Sequence, residues 1–362
     1  MRVLHVISFA LFCALSRVDG RSLGIFEDFW SDGGDPGDSV GYGYDKQRHI
    51  AIGGACILDL NTDLPKKNEP LFLQRSSSGD LDLVLPELEG NRGVIALREG
   101  EVGDSWIPMI ESCHDVENSN TFYSTHTVHG AIMGGKVYRT TARPLFSRGL
   151  SIFFKGFNPE TAYTQKNQQA VLARDLGTAN ANKYFDSKKT FYLARGHLAP
   201  DADFLFSAHQ FLTYFYVNVA PQWQSINAGN WLRVEDNTRK IAKSLGADLQ
   251  IVTGTEGILT LPSTKGEKEI RLQSSKLPVP EHFWKVLRNT QDDSCIAFVS
   301  TNNPFLTSAP KTLCQDVCSQ NGWPVLQNDL SKGYVYCCRY QDIKKAIPEM
   351  PNLTCKSVLK GK

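Results

Sequence analysis

One stretch of the chain, residues 192–246, concentrates polar side chains that could carry out a hydrolytic reaction. In chain order they are Arg195, His197, Asn218, Asn227, Glu235 and Arg239. Histidine has an unperturbed pKa of roughly 6.5 and can therefore take a proton from water near neutral pH. Arginine stabilises negative charge on phosphate oxygens, and carboxamide and carboxylate oxygens are ligands that Mg²⁺ prefers. Together these residue types suit the cleavage of a phosphodiester bond.

The first part of this stretch is predicted to be a β-strand. The run FYL at 191–193 favours a strand, and Pro200 ends it because proline cannot donate to the ladder. If the strand continues past Leu193, Arg195 and His197 point to the same face, since they are two residues apart. Gly196 between them has no side chain, so another backbone or a ligand can approach.

The second part is predicted to be an amphipathic helix that begins near Asn227. Residues at helical spacing form one buried stripe: Trp231, Val234, Thr238, Ile241 and Leu245. Gly246 stands where a C-terminal cap is expected. Glu235 and Arg239 lie one turn apart beside the stripe, and Asn227 lies about two turns earlier. The sequence thus predicts an Arg-x-His strand packed against a helix that opens with asparagine.

The segments ARGHLAP, NVAPQWQSINAGNW and VEDNTR closely resemble the DNA/RNA non-specific endonucleases with a ββα-metal site, the family of Serratia nuclease and mitochondrial endonuclease G. The similarity is dense over residues 191–246, extends over roughly 121–350, and is greatest to secreted arthropod nucleases with an extra N-terminal region. The resemblance implies an α+β fold, in which a ββα-metal nuclease domain with mixed and antiparallel sheets follows a small β-rich N-terminal domain.

The resemblance also implies roles for the polar residues. His197 would be the general base, and Asn227 would bind Mg²⁺ directly, with Mn²⁺ as an alternative ion. Glu235 would contact the metal through water, and Arg195 and Arg239 would contact phosphate or stabilise the transition state. Glu235 and Arg239 also fit a plain ion pair on the helix surface, worth a few tenths of a kcal/mol.

Three positions leave questions open at this level. Asn218 would support the site, or could simply brace the turn before the helix. Many family members have Asp before Arg-Gly-His, whereas this chain has Ala194, so the group that orients His197 is not identified. A backbone carbonyl is one option. Arg174 is a candidate for a further arginine that some relatives place upstream of the strand.

Other histidines and tryptophans are discounted as site residues. His126 and His129 resemble a metal pair, but in a strand this spacing puts them on opposite faces. Trp231 lies on the buried stripe and is assigned to the core. Trp223 fits either the core or stacking on a nucleic-acid base.

The chain begins with a predicted secretory signal, residues 1–20. A basic residue is followed by an apolar run, and the small residue Gly20 supplies a cleavage position. Nine cysteines are present, and only Cys13 lies in the signal. In a secreted chain the remaining even number favours disulfides, with Cys56 paired to Cys113 and the C-terminal pairings undetermined. The rival for the C-terminal cysteines is a zinc site. Asn352-Leu353-Thr354 is a glycosylation sequon.

The length favours two lobes after the signal, a β-rich domain at 21–120 and the nuclease domain at 121–362. Residues 151–154 are predicted to form a strand, and a helix is predicted around 165–172. Lys and Arg number 39 against 38 Asp and Glu, so bulk charge neither favours nor excludes a polyanionic substrate. No run approaches the roughly 18 apolar residues of a membrane helix, and no protein partner is implied.

The expected function is that of a secreted, Mg²⁺-dependent endonuclease that cuts DNA, RNA or both and leaves 5′-phosphates, as the family does. The alternative is a secreted nucleic-acid-binding protein that keeps the fold without turnover. A binding protein needs neither the base nor the metal ligand, which favours the enzyme. The sequence does not separate DNA from RNA or duplex from single strand, because the named groups all act on phosphate.

Overall fold

The structure is a computed structural model, and it describes the backbone of residues 50–54, 74–75, 81–82, 92–102, 105–135, 143–149 and 151–361. Within these ranges side chains are described from residue 109 onward, except at 151, 152, 207 and 208. The predicted signal and Cys56 lie outside the described residues. All described residues belong to one compact unit, residues 46–362.

The strands are numbered in chain order. They are β1 (Ile50–Gly54), β2 (Gln74–Arg75), β3 (Leu81–Asp82), β4 (Arg92–Val102), β5 (Ser105–Asp115), β6 (Asn120–His129), β7 (Leu193–His197), β8 (Val219–Trp223), β9 (Asp248–Glu256), β10 (Thr260–Ser263), β11 (Gly266–Glu269), β12 (Arg271–Gln273), β13 (Lys276–Pro278), β14 (His282–Asn289), β15 (Ser294–Thr301), β16 (Val335–Cys338) and β17 (Ser357–Val358).

The α-helices are also numbered in chain order. They are α1 (Pro159–Ala162), α2 (Gln165–Leu176), α3 (Thr178–Tyr184), α4 (Ser207–Leu212), α5 (Gln224–Ile226), α6 (Leu232–Leu245) and α7 (Tyr340–Ala346). Asn227–Trp231 between α5 and α6 is π-helical. Single 3₁₀ turns occur at Ser151–Phe154, Ser187–Lys189, Asp201–Asp203, Tyr216–Asn218, Ser319–Asn321 and Leu330–Lys332.

A nine-stranded sheet forms the centre of the fold, in the order β1-β4-β5-β6-β9-β14-β15-β16, with β17 also paired to β15. Its pairs are antiparallel except β15 with β17. Alternate residues face opposite sides. Phe283 and Leu287 join the core beneath the β7–β8 hairpin and α6, whereas Trp284 and Val286 join a second core under α7. The predicted α+β fold is confirmed.

Two local predictions meet different outcomes. The helix predicted around 165–172 is confirmed, and α2 begins at a Thr164 cap and ends before Gly177. The strand predicted at 151–154 is wrong, since these residues form a 3₁₀ turn. Phe153 and Phe154 of that turn are both buried, so burial rather than strand pairing accounts for the apolar run.

The sheet continues through the domain boundary predicted at residue 120. Strands β5 and β6 are joined by the short turn at 116–119 and pair over Glu111–Asp115 and Asn120–Thr125. Strand β5 in turn pairs with β4. The strands on the two sides of residue 120 therefore belong to one hydrogen-bonded sheet.

Three disulfides close the C-terminal part: Cys295–Cys355, Cys314–Cys338 and Cys318–Cys337. Cys337 and Cys338 are adjacent in β16, so their side chains point to opposite faces and reach different partners. Accordingly Cys337 and Cys318 pack in the core under α6, while Cys338 and Cys314 pack in the core under α7. The oxidised state excludes the rival zinc site at these cysteines.

The described residues contain no helix with the length and apolar character needed to cross a bilayer.

The β7–β8 hairpin and α6 form the ββα unit that the motifs predict. β7 and β8 pair antiparallel from Leu193–Trp223 to His197–Val219. Gly246 ends α6 in the left-handed region at φ 61°, as expected of a cap. Leu245 is 38% exposed, so its assignment to the buried stripe is wrong, and Ala242 fills that position. Ala242 lies one turn after Thr238, so the buried face of α6 ends there and does not include Leu245.

The helix does not run unbroken from Asn227. Gly229 has non-helical angles, φ −99° and ψ −122°, and the ladder there is π-helical. A Cβ at Gly229 would lie 2.8 Å from the backbone oxygen of Lys332, so only glycine allows this close approach. Asn227 is thereby offset from the straight axis of α6.

Asn218 holds the hairpin at the point where β7 ends. Its Oδ1 accepts from the Ala199 amide at 3.0 Å, and its Nδ2 donates to the carbonyls of Ala199 at 2.8 Å and Thr213 at 3.0 Å. Its own carbonyl accepts from the amide of Leu198 at 2.9 Å. Because Asn218 is fully buried, no solvent replaces these bonds if the side chain is removed.

We expect Asn218→Ala to lower the free energy of unfolding by about 2–3 kcal/mol, because it leaves buried backbone groups without partners. Urea denaturation followed by tryptophan fluorescence measures the change. Asn180→Ala is the matched control, since Asn180 is half-buried and makes one bond to the Leu176 carbonyl. Equal stability of Asn218→Ala and wild type would show that the side chain does not brace the hairpin.

Candidate active site

Arg195 and His197 lie on one face of β7, as their spacing predicts. Both contact the ring of Phe146, which lies 5.2 Å from the Arg195 guanidinium carbon and 5.4 Å from the imidazole centroid. Phe146 belongs to residues 143–149, which are held by hydrogen bonds between Ser147 and the backbone of Tyr214 and Tyr216. The predicted shared surface of cation and imidazole is confirmed.

Four aromatic residues surround this face, and we call them the aromatic cage: Phe146, Tyr163, Tyr214 and Tyr216. The Arg195 guanidinium lies 5.5 Å from the Tyr163 ring and 5.4 Å from the Tyr216 ring. Its Nε also donates to the Tyr216 hydroxyl at 3.1 Å. Cation–π contacts of this kind hold a guanidinium without neutralising it. The positive charge of Arg195 therefore stays available to an anion.

The cage was missed at the sequence level, although one signal for part of it exists. Tyr214 and Tyr216 alternate with Phe215 just before β8, a spacing that places the two tyrosines on one face. Phe146 carries no such signal, since it comes from a segment about 50 residues before His197 in the chain.

The cage also sets the state of His197. Its ring packs on Phe146 and, edge to face at 5.4 Å, on Tyr214. Nε2 is enclosed and has no hydrogen-bond partner among the described side chains and backbone. Burial lowers the pKa of His197 to about 4, against an opposing effect of Asp201 and with a further lowering by Arg143. His197 is therefore neutral at pH 7, as a base must be.

The question left by Ala194 has a structural answer. Within the described part of the chain His197 Nε2 has no hydrogen-bond partner, so aromatic packing takes the place of an orienting carboxylate or carbonyl at this nitrogen. Asp201, the carboxylate that acts on His197 electrostatically, is itself engaged, because it accepts from the Tyr214 hydroxyl at 2.6 Å. Arg143, missed at the sequence level, lies 3.6 Å from the same carboxylate and is exposed.

Asn227 lies where α5 passes into the π-helical segment and is half-buried. Its Nδ2 donates to Gln224 Oε1 at 3.2 Å. Because the amide nitrogen is engaged there, the carboxamide oxygen is directed to the other side, as a ligand for a hard cation requires. The donor chemistry of Asn227, with the Glu235 carboxylate on the next helix, fits Mg²⁺ with water in the other positions.

Among the described residues, one group of three His, Cys, Asp or Glu has ligand atoms close together, namely Asp316, Cys318 and Cys337. The two cysteines are bonded to each other, so this group does not hold a metal.

Glu235 and Arg239 both lie on α6 and face the interior in part. Burial raises the pKa of Glu235 to about 7, and the nearby cation of Lys285 opposes this shift. Arg239 donates to Asp203 Oδ1 at 2.8 Å and to Asp236 Oδ1 at 2.5 Å. The hydrogen bonds of the guanidinium thus go to Asp203 and Asp236. They do not describe a plain surface ion pair between Glu235 and Arg239.

Asp203 and Lys285 are further charged residues that were missed at the sequence level. Asp203 is buried and also bonds His126 Nε2 at 2.9 Å. Lys285 is fully buried in β14 and donates to Thr253 Oγ1 at 2.5 Å. The sequence does carry one sign of Lys285, because this lysine stands inside the apolar run HFWKVL. A charged residue is rarely buried at such a position unless other groups pair with it.

The structure also places the histidines and tryptophans that the sequence sets aside as metal ligands or base-stacking residues. His126 is buried, whereas His129 is half exposed and bonds Asp248, so the two do not form a metal pair. Trp231 and Trp223 are both fully buried, and Trp223 packs edge to face on Phe305. Stacking of Trp223 on a base is therefore excluded.

Arg174, the candidate upstream arginine, makes two bonds to its neighbour Asp175 at 2.7 and 2.8 Å on α2. Arg143, beside His197, is the better placed of the two.

Comparison with known proteins identifies relatives. A family model for DNA/RNA non-specific endonucleases matches residues 105–343. The chain is 37% identical over 247 residues to a salivary endonuclease of Lutzomyia longipalpis, an alignment that covers 66% of this chain and 56% of that protein. It is 28% identical over 257 residues to a salivary endonuclease of Culex quinquefasciatus, covering 68% of this chain and 63% of that protein.

A chain in the crystal structure of the EndoG/EndoGI complex superposes with a TM-score of 0.41 and 14% identity, over 71% of this chain and 89% of that chain. The chain spans less than two thirds of the length of the two salivary relatives. The family match agrees with the resemblance carried by the motifs at 191–246.

The lowered pKa of His197 predicts how stability depends on pH. Between pH of roughly 6.5 and 4 the unfolded chain binds a proton at His197 and the folded chain does not, so the free energy of unfolding falls as the pH is lowered. His197→Gln should reduce this loss by about 2–3 kcal/mol. Urea titrations of both proteins at pH 7 and pH 4 measure it. Identical losses in the two proteins would contradict burial of a neutral imidazole.

Proposed function

Because the chain belongs to the DNA/RNA non-specific endonuclease family, we propose that it is a metal-dependent endonuclease that hydrolyses internal phosphodiester bonds of DNA, RNA or both. One observation carries the proposal. His197 and Arg195 share a face of the β7–β8 hairpin, and the helical segments that follow β8 carry Asn227, Glu235 and Arg239. A base, two cations and hard oxygen ligands are the groups that this reaction requires.

His197 acts as the general base in this proposal. Its imidazole is neutral at pH 7, so it can accept a proton from a water molecule without first losing one. Since Nε2 is enclosed by the aromatic cage, Nδ1 is the nitrogen that takes the proton. The cage and the nearby Arg143 charge make an imidazolium unfavourable, so the proton is passed on to solvent after the step.

Asn227 would hold Mg²⁺ through its carboxamide oxygen, and Glu235 would orient water bound to the ion. Mn²⁺, which also accepts oxygen ligands, is the alternative. The ion, when bound, stabilises negative charge on the phosphate and on the leaving oxygen. Glu235 must be ionised for this role, and Lys285 favours the ionised form.

The arginines supply fixed positive charge. Arg195 is held against aromatic rings that do not neutralise it, so its free N–H groups can meet a non-bridging phosphate oxygen. Arg239 meets the phosphate from α6. Cleavage at the bond to the 3′ oxygen leaves products with 5′-phosphates, as expected of the family.

We further propose that the protein is secreted. The signal-like residues 1–20, the three disulfides and the similarity to two salivary endonucleases all support export. Asn352 of the sequon is exposed, so a glycan can be attached there.

Cleavage of four matched substrates tests the function: double-stranded DNA, double-stranded RNA and the two single strands. We expect Mg²⁺-dependent cleavage by the wild type, with loss of activity in a chelator. His197→Ala should lower kcat by about 100- to 10,000-fold, because it removes the general base. End-labelling of the products checks for 5′-phosphates, and the order of rates identifies the preferred substrate.

His129→Ala is the matched control, since His129 lies at the exposed end of β6 in a pair with Asp248, and its rates should equal those of wild type. Binding of all four substrates without cleavage would contradict the proposed activity and would favour a nucleic-acid-binding protein without turnover. Equal cleavage by His197→Ala and wild type would remove His197 from the mechanism.

A further inference from the structure

Beneath α6 lies a group of ionisable side chains, of which the proposed mechanism uses only Arg239 directly. We call it the buried charge cluster, and it consists of His126, Asp203, Arg239 and Lys285. Asp203 has 1% of its side chain exposed and Lys285 has none of its surface exposed. A carboxylate at this depth is stable only when cations or hydrogen-bond donors compensate it.

Asp203 joins two parts of the fold through its two oxygens. Oδ2 accepts from His126 Nε2 of β6 at 2.9 Å, and Oδ1 accepts from the Arg239 guanidinium of α6 at 2.8 Å. Asp203 itself lies in the 3₁₀ turn after β7, six residues past His197. A single carboxylate therefore links the central sheet, the hairpin and the helix.

His126 is suited to fix Asp203 without adding a competing charge. Its Nδ1 is buried and has no hydrogen-bond partner in the described structure, which fits a neutral ring with the proton on Nε2. In that form the ring donates one bond, and the acceptor is Asp203. Phe204, adjacent to Asp203, packs on the same imidazole at 5.5 Å. The orientation of the carboxylate is thus set from the sheet.

The guanidinium of Arg239 has little freedom once Asp203 is fixed. Asp203 holds one terminal nitrogen and Asp236 holds the other, at 2.8 and 2.5 Å. Asp236 comes from the same helix and is half exposed, whereas Asp203 is a buried anchor from a different element. Arg239 keeps 17% of its side chain exposed, so it is not closed off from solvent as Asp203 is.

We propose that Asp203 is a positioning residue for the reaction: held by His126 from β6, it orients the guanidinium of Arg239 toward the reacting phosphate. This inference rests on the proposed function, in which Arg239 contacts phosphate. In this proposal Asp203 does not contact the substrate, and its effect on the reaction is exerted through Arg239. Its removal therefore lowers kcat through loss of orientation, while substrate binding by the other basic groups keeps KM nearly constant.

A double-mutant cycle tests the coupling, on whichever of the four substrates the wild type cuts fastest in Mg²⁺. We expect Arg239→Ala to lower kcat by about 100-fold and Asp203→Asn by about 10- to 100-fold, with KM changed less than about threefold. The double variant should be within about threefold of Arg239→Ala alone, because Asp203 has nothing left to position. Multiplication of the two losses, or an Asp203→Asn kcat within about threefold of wild type, would overturn the proposal.

Asp248→Asn is the matched control, since it breaks the other His–Asp pair of β6, which is half exposed and bonds His129 at 3.0 Å. Its kcat should equal that of wild type. Absence of cleavage by the wild type would defeat the proposed function itself and is distinguishable from loss in the variants alone.

If Asp203→Asn does not fold, two variants of His126 decide the question. His126→Gln keeps an N–H donor toward Asp203 and should stay within about threefold of wild-type kcat, whereas His126→Leu removes the donor and should lose about 10-fold. Thermal denaturation of both confirms that they are folded. Equal kcat values for the two would overturn the proposal.

Discussion

Burial of the Asp203 carboxylate is the constraint on which the arrangement of the site depends. An ionised carboxylate with 1% exposure costs several kcal/mol unless it is paired, and here the pairing partners come from β6 and α6. Lys285 of β14 adds a buried positive charge, hydrogen-bonded to Thr253 of β9. Strands β6, β9 and β14 are consecutive in the sheet, so the partners that the sheet supplies lie on adjacent strands away from its edges.

The hairpin meets a different physical requirement. His197 and Arg195 are packed by aromatic rings rather than by carboxylates, and the two arrangements have opposite electrostatic consequences. A carboxylate would favour an imidazolium and would neutralise the arginine, whereas rings leave the imidazole uncharged and the guanidinium free to meet an anion. Asp201, the acid that acts on His197 electrostatically, accepts a hydrogen bond from the Tyr214 hydroxyl and lies near Arg143.

The scaffold explains how these elements keep their places. Asn218 joins the end of β7 to the turn before β8 through buried bonds to backbone groups, so it supports the position of His197 without facing a substrate. Gly229 allows the π-helical segment to approach Lys332, which separates Asn227 from the regular turns of α6. The disulfides Cys314–Cys338 and Cys318–Cys337, on opposite faces of β16, anchor residues 314–318 against this edge strand of the sheet.

The sequence by itself determined the local elements and the family. Period-two spacing placed Arg195 and His197 on one face, and helical spacing with Gly246 predicted α6, because these signals depend only on neighbouring residues. Two predictions at the ends of the helix were wrong. The helix is interrupted after Asn227, at Gly229, where the backbone approaches Lys332, and Leu245 is exposed to solvent instead of buried. The exported, oxidised character suggested by the cysteines agrees with three disulfides, but their pairing did not follow from spacing.

Only the tertiary structure decided which distant groups surround the reacting residues. Phe146 and Asp203 lie far from each other in the chain and carry no periodic signal, yet one packs on His197 and the other holds Arg239. Lys285 stood out in an apolar run, but its neighbours Asp203 and Glu235 come from other elements. Burial and charge compensation are properties of assembled elements, since they depend on which side chains replace water around a group. Spacing along the chain specifies the elements, and packing alone specifies that environment.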